Sequence, residues 1–293
     1  MHVDTPSRTA EGIAAARARE SAKPETERIF YDPYAQHFLR RRHRFVRRFR
    51  PLVWFFRWRN TRTLPGMFGG LVVRTRYIDD HLIRCAEQGM EQLVILGAGY
   101  DARAYRFKDR LAGVGIFEVD HPATQQVKIE KLRRIFGQIP AHVTYVPLRF
   151  NSQCLERSLP ESGYDPARNS LFIWEGVTMY LSGQGINNTL AFIAGFSPPG
   201  SSVVFDYFPP SVAEGTCTWT EVHTLRKMVA RTGEEIRFGI DPGDLEAFLT
   251  YRGFHRVETI DGRTCKRRYF PGAGAGPVVS GLFHFAHAKV APR

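Results

Sequence analysis

One stretch carries the first chemical signal: Leu93-Val-Ile-Leu-Gly-Ala-Gly-Tyr-Asp101. Four apolar residues of strand type run directly into Gly97-Ala98-Gly99. Glycines there let the backbone turn sharply and bring its amides close to a ligand at a helix N-terminus. The second signal, Phe117-Glu-Val-Asp-His-Pro122, places Asp120 at the end of another apolar run. An acid about twenty residues beyond such a turn accepts hydrogen bonds from ribose hydroxyls in nucleotide-binding α/β proteins. Each signal also has a plainer reading, a glycine strand end and an aspartate helix cap. Together they point to a nucleotide-like cofactor without choosing it. Gly97-x-Gly99-x-x-Ala102 fits the dinucleotide fingerprint with alanine in the third place, so an NAD-type oxidoreductase competes.

Other chemistries find less support. The cysteines Cys85, Cys154, Cys217 and Cys265 form no C-x-x-C pair and no Cys/His cluster, so no metal site is expected and the thiols read as reduced. The first thirty residues lack an apolar signal core. The aromatic run Leu52 to Phe56, closed by Arg57, is too short to span a bilayer. The expected location is cytoplasmic, at most peripheral to a membrane.

These residues need elements to hold them. Thr9 to Ala22 reads as a helix stopped by Pro24. Asp32-Pro33-Tyr34 predicts a turn and a new helix with Pro33 at its first position. Apolar residues from Phe38 to Phe56 recur at helical spacing, with a break at Pro51. Leu64 to Gly70 reads as a loop, followed by a helix from about Thr75 to Glu87. After Gly89, strands at Leu93–Leu96, Ile116–Val119, Val143–Val146, Leu171–Trp174 and Ser202–Tyr207 alternate with helices such as Pro122–Phe136 and Gln184–Phe196. That alternation implies right-handed βαβ units in an α/β, Rossmann-like, doubly wound sheet. A helix at Asp241–Arg252 precedes two strands, Arg256–Ile260 and Val278–Val290. With no helix expected between them, they predict an antiparallel hairpin at the sheet edge. The sheet thus has about seven strands, mostly parallel, the last antiparallel. A dinucleotide enzyme normally needs a second mononucleotide half and a catalytic domain. The residues after Asp120 read instead as the completion of one sheet.

The order of motifs along nearly the whole chain resembles the leucine carboxyl methyltransferase-like family of class I S-adenosylmethionine-dependent methyltransferases, in its bacterial small-molecule branch. The matching stretches are Thr9-Ala-Glu-Gly-Ile-Ala-Ala-Ala-Arg-Ala-Arg-Glu20, Asp32-Pro-Tyr-Ala35, Val73-Arg-Thr-Arg-Tyr-Ile-Asp-Asp80, Leu96-Gly-Ala-Gly-Tyr-Asp-Ala-Arg103, Phe117-Glu-Val-Asp-His-Pro122, Glu175-Gly-Val-Thr-Met-Tyr-Leu181 and Phe238-Gly-Ile-Asp-Pro242. The resemblance implies that Arg74 grips the cofactor's methionine carboxylate, a task suited to a bidentate guanidinium, with Arg76 as fallback. It implies that Gly97, Ala98, Gly99 and Asp101 underlie the cofactor, that Asp120 and His121 meet its ribose, and that Glu175 lines the pocket with Tyr180 close by. Where the family often carries an acid toward adenine, this chain has Arg149, followed by Phe150, which can stack on the base, and Asn151, which can bond its edge.

Methyl transfer from a sulfonium needs alignment and exclusion of water. A carboxylate acceptor needs no general base; a hydroxyl acceptor is helped by one. Glu175, Tyr180 and His121 are the catalytic candidates, with His223 and Tyr207 as further bases. The expected activity is O-methylation of a small-molecule carboxylate or hydroxyl in secondary metabolism. Protein C-terminal carboxyl methylation ranks below it, and a non-catalytic or membrane-associated relative of the fold is a further alternative.

The net charge of +12 is concentrated in one segment, where Arg40, Arg41, Arg42, Arg44, Arg47, Arg48, Arg50, Arg57 and Arg59 interleave with aromatics. Residues 38–59 read as a lid helix pair whose arginines face solvent, attract an acidic acceptor, or rest on an anionic membrane with Trp54, Phe55 and Trp58 inserted. No nucleic-acid fold accompanies them, so nucleic acid is not the expected partner. The organisation expected is a helical, cofactor-covering segment over 1–88 and a methyltransferase core over 89–293, together one structural domain.

Overall fold

The computed structural model describes residues 7–40, 59, 61–150, 155–272 and 274–292. A seven-stranded sheet has the order β3-β2-β1-β4-β5-β7-β6. Its strands are β1 (Gln92–Leu96), β2 (Gly115–Asp120), β3 (Val143–Pro147), β4 (Ser170–Trp174), β5 (Ser202–Tyr207), β6 (Phe254–Asp261) and β7 (His284–Val290). The first five pair in parallel, and β7 runs antiparallel to both β5 and β6. Strands β1, β4 and β5 are buried along their whole length, as continuous apolar runs must be when helices cover both faces. Alternate side chains feed separate cores. Leu93, Ile95 and Ile173 enter one, and Val94, Leu96, Phe172 and Trp174 the other.

The helices that matter for the site are α1 (Arg8–Ser21), α2 (Met67–Glu87), α3 (Pro122–Phe136), α4 (Gly183–Gly195), α5 (Thr220–Ala230) and α6 (Gly262–Tyr269). Ser7 caps α1 by accepting a hydrogen bond from the Ala10 amide. Pro122 opens α3, and Gly137 closes it in the left-handed conformation. Among the described residues no helix is long and apolar enough to cross a membrane.

Four sequence expectations change. Helix α2 starts at Met67 rather than near Thr75, so Gly69 and Gly70 are helical. Those glycines answer to packing, because a Cβ there would lie 2.0 Å from the Val278 carbonyl and the Phe283 ring, respectively. Pro33 does not open an α-helix. Asp32 accepts hydrogen bonds from the Tyr34 and Ala35 amides and sets up a short 3-10 turn, Ala35–Phe38. The last strands are no simple hairpin: α6 intervenes, capped by Asp261 and closed onto the core by buried Cys265. The final strand begins at His284, not Val278. The expected helices around Pro51 and most of the arginine–aromatic segment lie outside the described residues.

Candidate cofactor and acceptor site

The sheet order reverses at β1 and β4, opening a crevice beyond their carboxyl ends, where α/β sheets place ligands. Two loops meet there: the glycine turn after β1 and the Glu175-Gly176-Val177 segment after β4. Gly97 has φ +66°, and a Cβ on it would sit 2.3 Å from Val177 Cγ2. Glycine is therefore required both by conformation and by the crossing of the loops. Asp120 locks the turn from β2. Its Oδ2 accepts the Gly99 amide and its Oδ1 the His121 amide, each at 2.7 Å. Burial pushes the Asp120 carboxyl up to about 6, and the two amides offset that only in part.

Below the turn lies a buried ionic network. Arg103 donates to Asp79, Asp101 and Glu175 and reaches the Thr75 carbonyl. Arg106 also pairs with Asp79. Arg74 bonds Asp206 at 2.6 Å and stands 3.0 Å from Glu175. The other Asp206 oxygen accepts the Gly176 amide at 2.6 Å, which fixes the β4 loop to β5. Burial alone would raise Glu175, but Arg103, Arg74 and Arg17 overcome it and hold this carboxyl well below the carboxylate range. Asp101 is likewise lowered, burial being outweighed by Arg103 and Arg17. Arg74 Nε is buried without a hydrogen-bond partner.

Two chambers open on this framework. The first, of about 350 Å³, is lined by Gly97, Ala98, Gly99, Asp101, Asp120, His121, Phe150, Glu175 and Tyr180, which the sequence had nominated. The second, of about 1000 Å³, is bounded by α1, α2, α5 and the segment before β7. Thr9, Ile13, Gly176 and Tyr180 line both, so α1 and the β4 loop form the partition.

Several nominated residues stand elsewhere. Arg74 lines the second chamber, bound to Asp206 and Glu175; Arg17, Arg149 and Arg237 line the first. Arg76 pairs with Asp80 and the Ile29 carbonyl. Tyr207 bonds Thr259 and His223 is exposed on α5; neither lines a chamber. His121 caps α3 through the Ala123 amide, and its Nε2 lies 3.4 Å from Arg149 Nε. It lines only the first chamber, away from the partition. Asn151 lies outside the described residues.

Sequence reasoning passed over Arg17, Arg103, Asp206 and Glu234. Arg17 is 3% exposed, donates to the Tyr100 carbonyl and faces Asp32 at 3.5 Å. Glu234 accepts the hydroxyls of Ser7 and Thr9, tying the start of α1 over the first chamber. An arginine set among the alanines of α1 was the available signal for Arg17. Glu234 offered none, since its partners lie more than two hundred residues away.

Comparison with known proteins agrees with this architecture. Residues 10–194 match the family model described as leucine carboxyl methyltransferase. A protein of Bacillus subtilis named "Putative S-adenosyl-L-methionine-dependent methyltransferase YktD" is 30% identical over 200 residues, 68% of this chain and 66% of that protein. A relative of the same description from Mycolicibacterium smegmatis is 37% identical over 143 residues, 48% of this chain and 45% of the relative. The chain thus spans less than two thirds of the length of these relatives. Among solved structures, one described as a putative methyltransferase from Thermobifida fusca superposes with a TM-score of 0.60 at 10% identity, covering 98% of this chain and 96% of that one. A DUF574 family protein from Streptomyces avermitilis gives 0.58 at 11%, covering 95% and 97%. The reversed β7 set between β5 and β6 also departs from the all-parallel sheet order expected of an NAD-type oxidoreductase. The chain belongs to the leucine carboxyl methyltransferase family.

Proposed function

We propose that the protein is an S-adenosylmethionine-dependent O-methyltransferase that esterifies a small-molecule carboxylate. The residues of the first chamber fit that cofactor. The tight turn at Gly97 brings the backbone of the β1 loop to the chamber wall. Asp120, its geometry set by two amides, is placed to accept ribose hydroxyls. Glu175, held as an anion at the chamber wall, can receive an ammonium, and buried Arg17 can receive a carboxylate. Phe150 offers an apolar ring to the base. When bound, the cofactor supplies an activated methyl group on sulfur.

The chain's own part is to bind, align and exclude water. The observation that carries the carboxylate reading is the partition. Of its four residues only Tyr180 titrates, and burial, then Glu234, pushes its phenol up, away from any role as a base near neutral pH. Glu175 is too strongly stabilised as an anion to take a proton. Glu234 already accepts two hydroxyls. An acceptor that arrives ionised needs no such base. The acceptor oxygen would approach past Ile13 and Gly176, with Tyr180 positioning it.

The test uses a labelled methyl donor and a panel of carboxylic acids and alcohols. Base-labile product that releases labelled methanol supports the carboxylate reading. Base-stable product, formed only with alcohols, would move the assignment to a hydroxyl acceptor.

A further inference from the structure

The second chamber is nearly three times the volume of the first, and α1 presents one face to it. Gly12, Ala15, Ala16 and Arg19 recur at helical spacing along that face, and Lys23 follows just past its end. Gly12 is the informative member. It sits inside a helix with no left-handed φ, and a Cβ there would meet nothing within 4 Å. Neither backbone nor packing calls for glycine, which in a helix interior destabilises by about 0.5–1 kcal/mol relative to alanine. Gly69 and Gly70, by contrast, are demanded by their neighbours. The opposite wall follows α2, where Met67, Phe68, Leu71 and Arg74 share a face.

These faces define an axis. At one end Ile13 and Arg74 flank Gly176 at the partition, their atoms 3.4 and 3.3 Å from where its Cβ would lie. At the other end the Arg19 guanidinium lies 3.7 Å over the Phe68 ring. Six residues separate the ends on each helix, Ile13 to Arg19 and Phe68 to Arg74, so both spans are about 9 Å at 1.5 Å per residue. The space between is bounded by Gly12, Ala15 and Ala16 on the α1 side and by Met67, Phe68 and Leu71 on the α2 side. The charges at the far end are largely matched: Glu20 holds Lys23 at 2.6 Å and Glu25 reaches Arg28 at 3.9 Å.

We infer that this chamber holds an alkyl chain, so that the acceptor is a medium-chain alkyl carboxylic acid rather than a small polar metabolite or a protein C-terminus. This rests on the carboxylate reading above. The carboxylate would lie at the partition and the chain along Gly12, Ala15 and Ala16 toward the Arg19–Phe68 stack. In the reaction a carboxylate oxygen forms the new bond to the methyl carbon as the carbon–sulfur bond breaks. The bonding pair stays on sulfur, giving a methyl ester and a neutral thioether with no proton moved.

The experiment measures methyl ester formation with butanoate, hexanoate, octanoate, decanoate and dodecanoate. S-adenosylhomocysteine affinity is measured by calorimetry on the same samples. The inference predicts that kcat/KM rises about threefold to fourfold per added methylene, following the transfer of each methylene from water, until the span is filled. Gly12→Phe should abolish that rise and Gly12→Ala should blunt it, both leaving S-adenosylhomocysteine affinity within twofold. A flat length series, or one that Gly12→Phe leaves unchanged, in protein that binds S-adenosylhomocysteine overturns the alkyl-chain assignment alone. Failure to bind S-adenosylhomocysteine overturns the methyltransferase reading beneath it.

Discussion

The two chambers share a wall yet are built by different means. The first is assembled from short consecutive motifs at strand ends, with Gly97–Asp101 after β1, Asp120–His121 after β2 and Glu175–Gly176 after β4. Its geometry is fixed by backbone amides and a buried ionic network. The second is assembled from helix faces and segments far apart in sequence, from α1 to the approach to β7. The first is constrained by hydrogen-bond geometry, where small changes carry large penalties. The second is constrained by shape, which tolerates substitution. On the proposed reading, common cofactor chemistry sits beside a chamber free to change its acceptor.

The contrast breaks most severely at Arg103. It is 0% exposed and serves three carboxylates. Arg103→Ala leaves Asp79, Asp101 and Glu175 short of a counter-ion, and a loss of about 3–5 kcal/mol is expected in urea unfolding. A loss below about 1 kcal/mol would show that the network does not support the first chamber.

Gly97→Ala probes the glycine turn. The new methyl meets Val177 Cγ2 in a left-handed backbone. The expected destabilisation is about 1–3 kcal/mol, with S-adenosylhomocysteine affinity falling at least tenfold. Wild-type affinity in calorimetry would remove the turn from the cofactor's path.

The smallest effect is a pH step. Asp120 is raised to about 6 by burial. Above that pH it is ionised and accepts hydroxyl hydrogen bonds; below it the protonated carboxyl loses acceptor capacity. S-adenosylhomocysteine affinity should therefore be level from pH 7 upward and weaken as pH falls through about 6. Asp120→Asn should flatten that step; a step unchanged in the variant would assign it to another group.

The same contrast explains what the sequence could disclose. Strand positions, the glycine turn, Asp120 and the seven-stranded architecture were legible because each rests on local periodicity or turn chemistry. The start of α2 was hidden, since Gly69 and Gly70 look like loop residues until Val278 and Phe283 are seen against them. Helix α6 was hidden by its composition, Gly-Arg-Thr-Cys-Lys-Arg-Arg-Tyr, which has little apolar periodicity. Arg74 was assigned to the cofactor by resemblance. The fold turns its guanidinium onto Asp206, 132 residues away, and gives the first chamber Arg17 instead. Such partners are set by tertiary packing alone.

The central claim is that the chamber at the β1–β4 crevice is a cofactor site read by Asp120. Its most direct test is calorimetric titration of the wild-type chain and an Asp120→Ala variant with S-adenosylhomocysteine at pH 8. The account predicts micromolar binding, about −8 kcal/mol, and at least a tenfold loss in the variant. No binding to folded, monodisperse wild-type protein, or equal binding by the two, would contradict it.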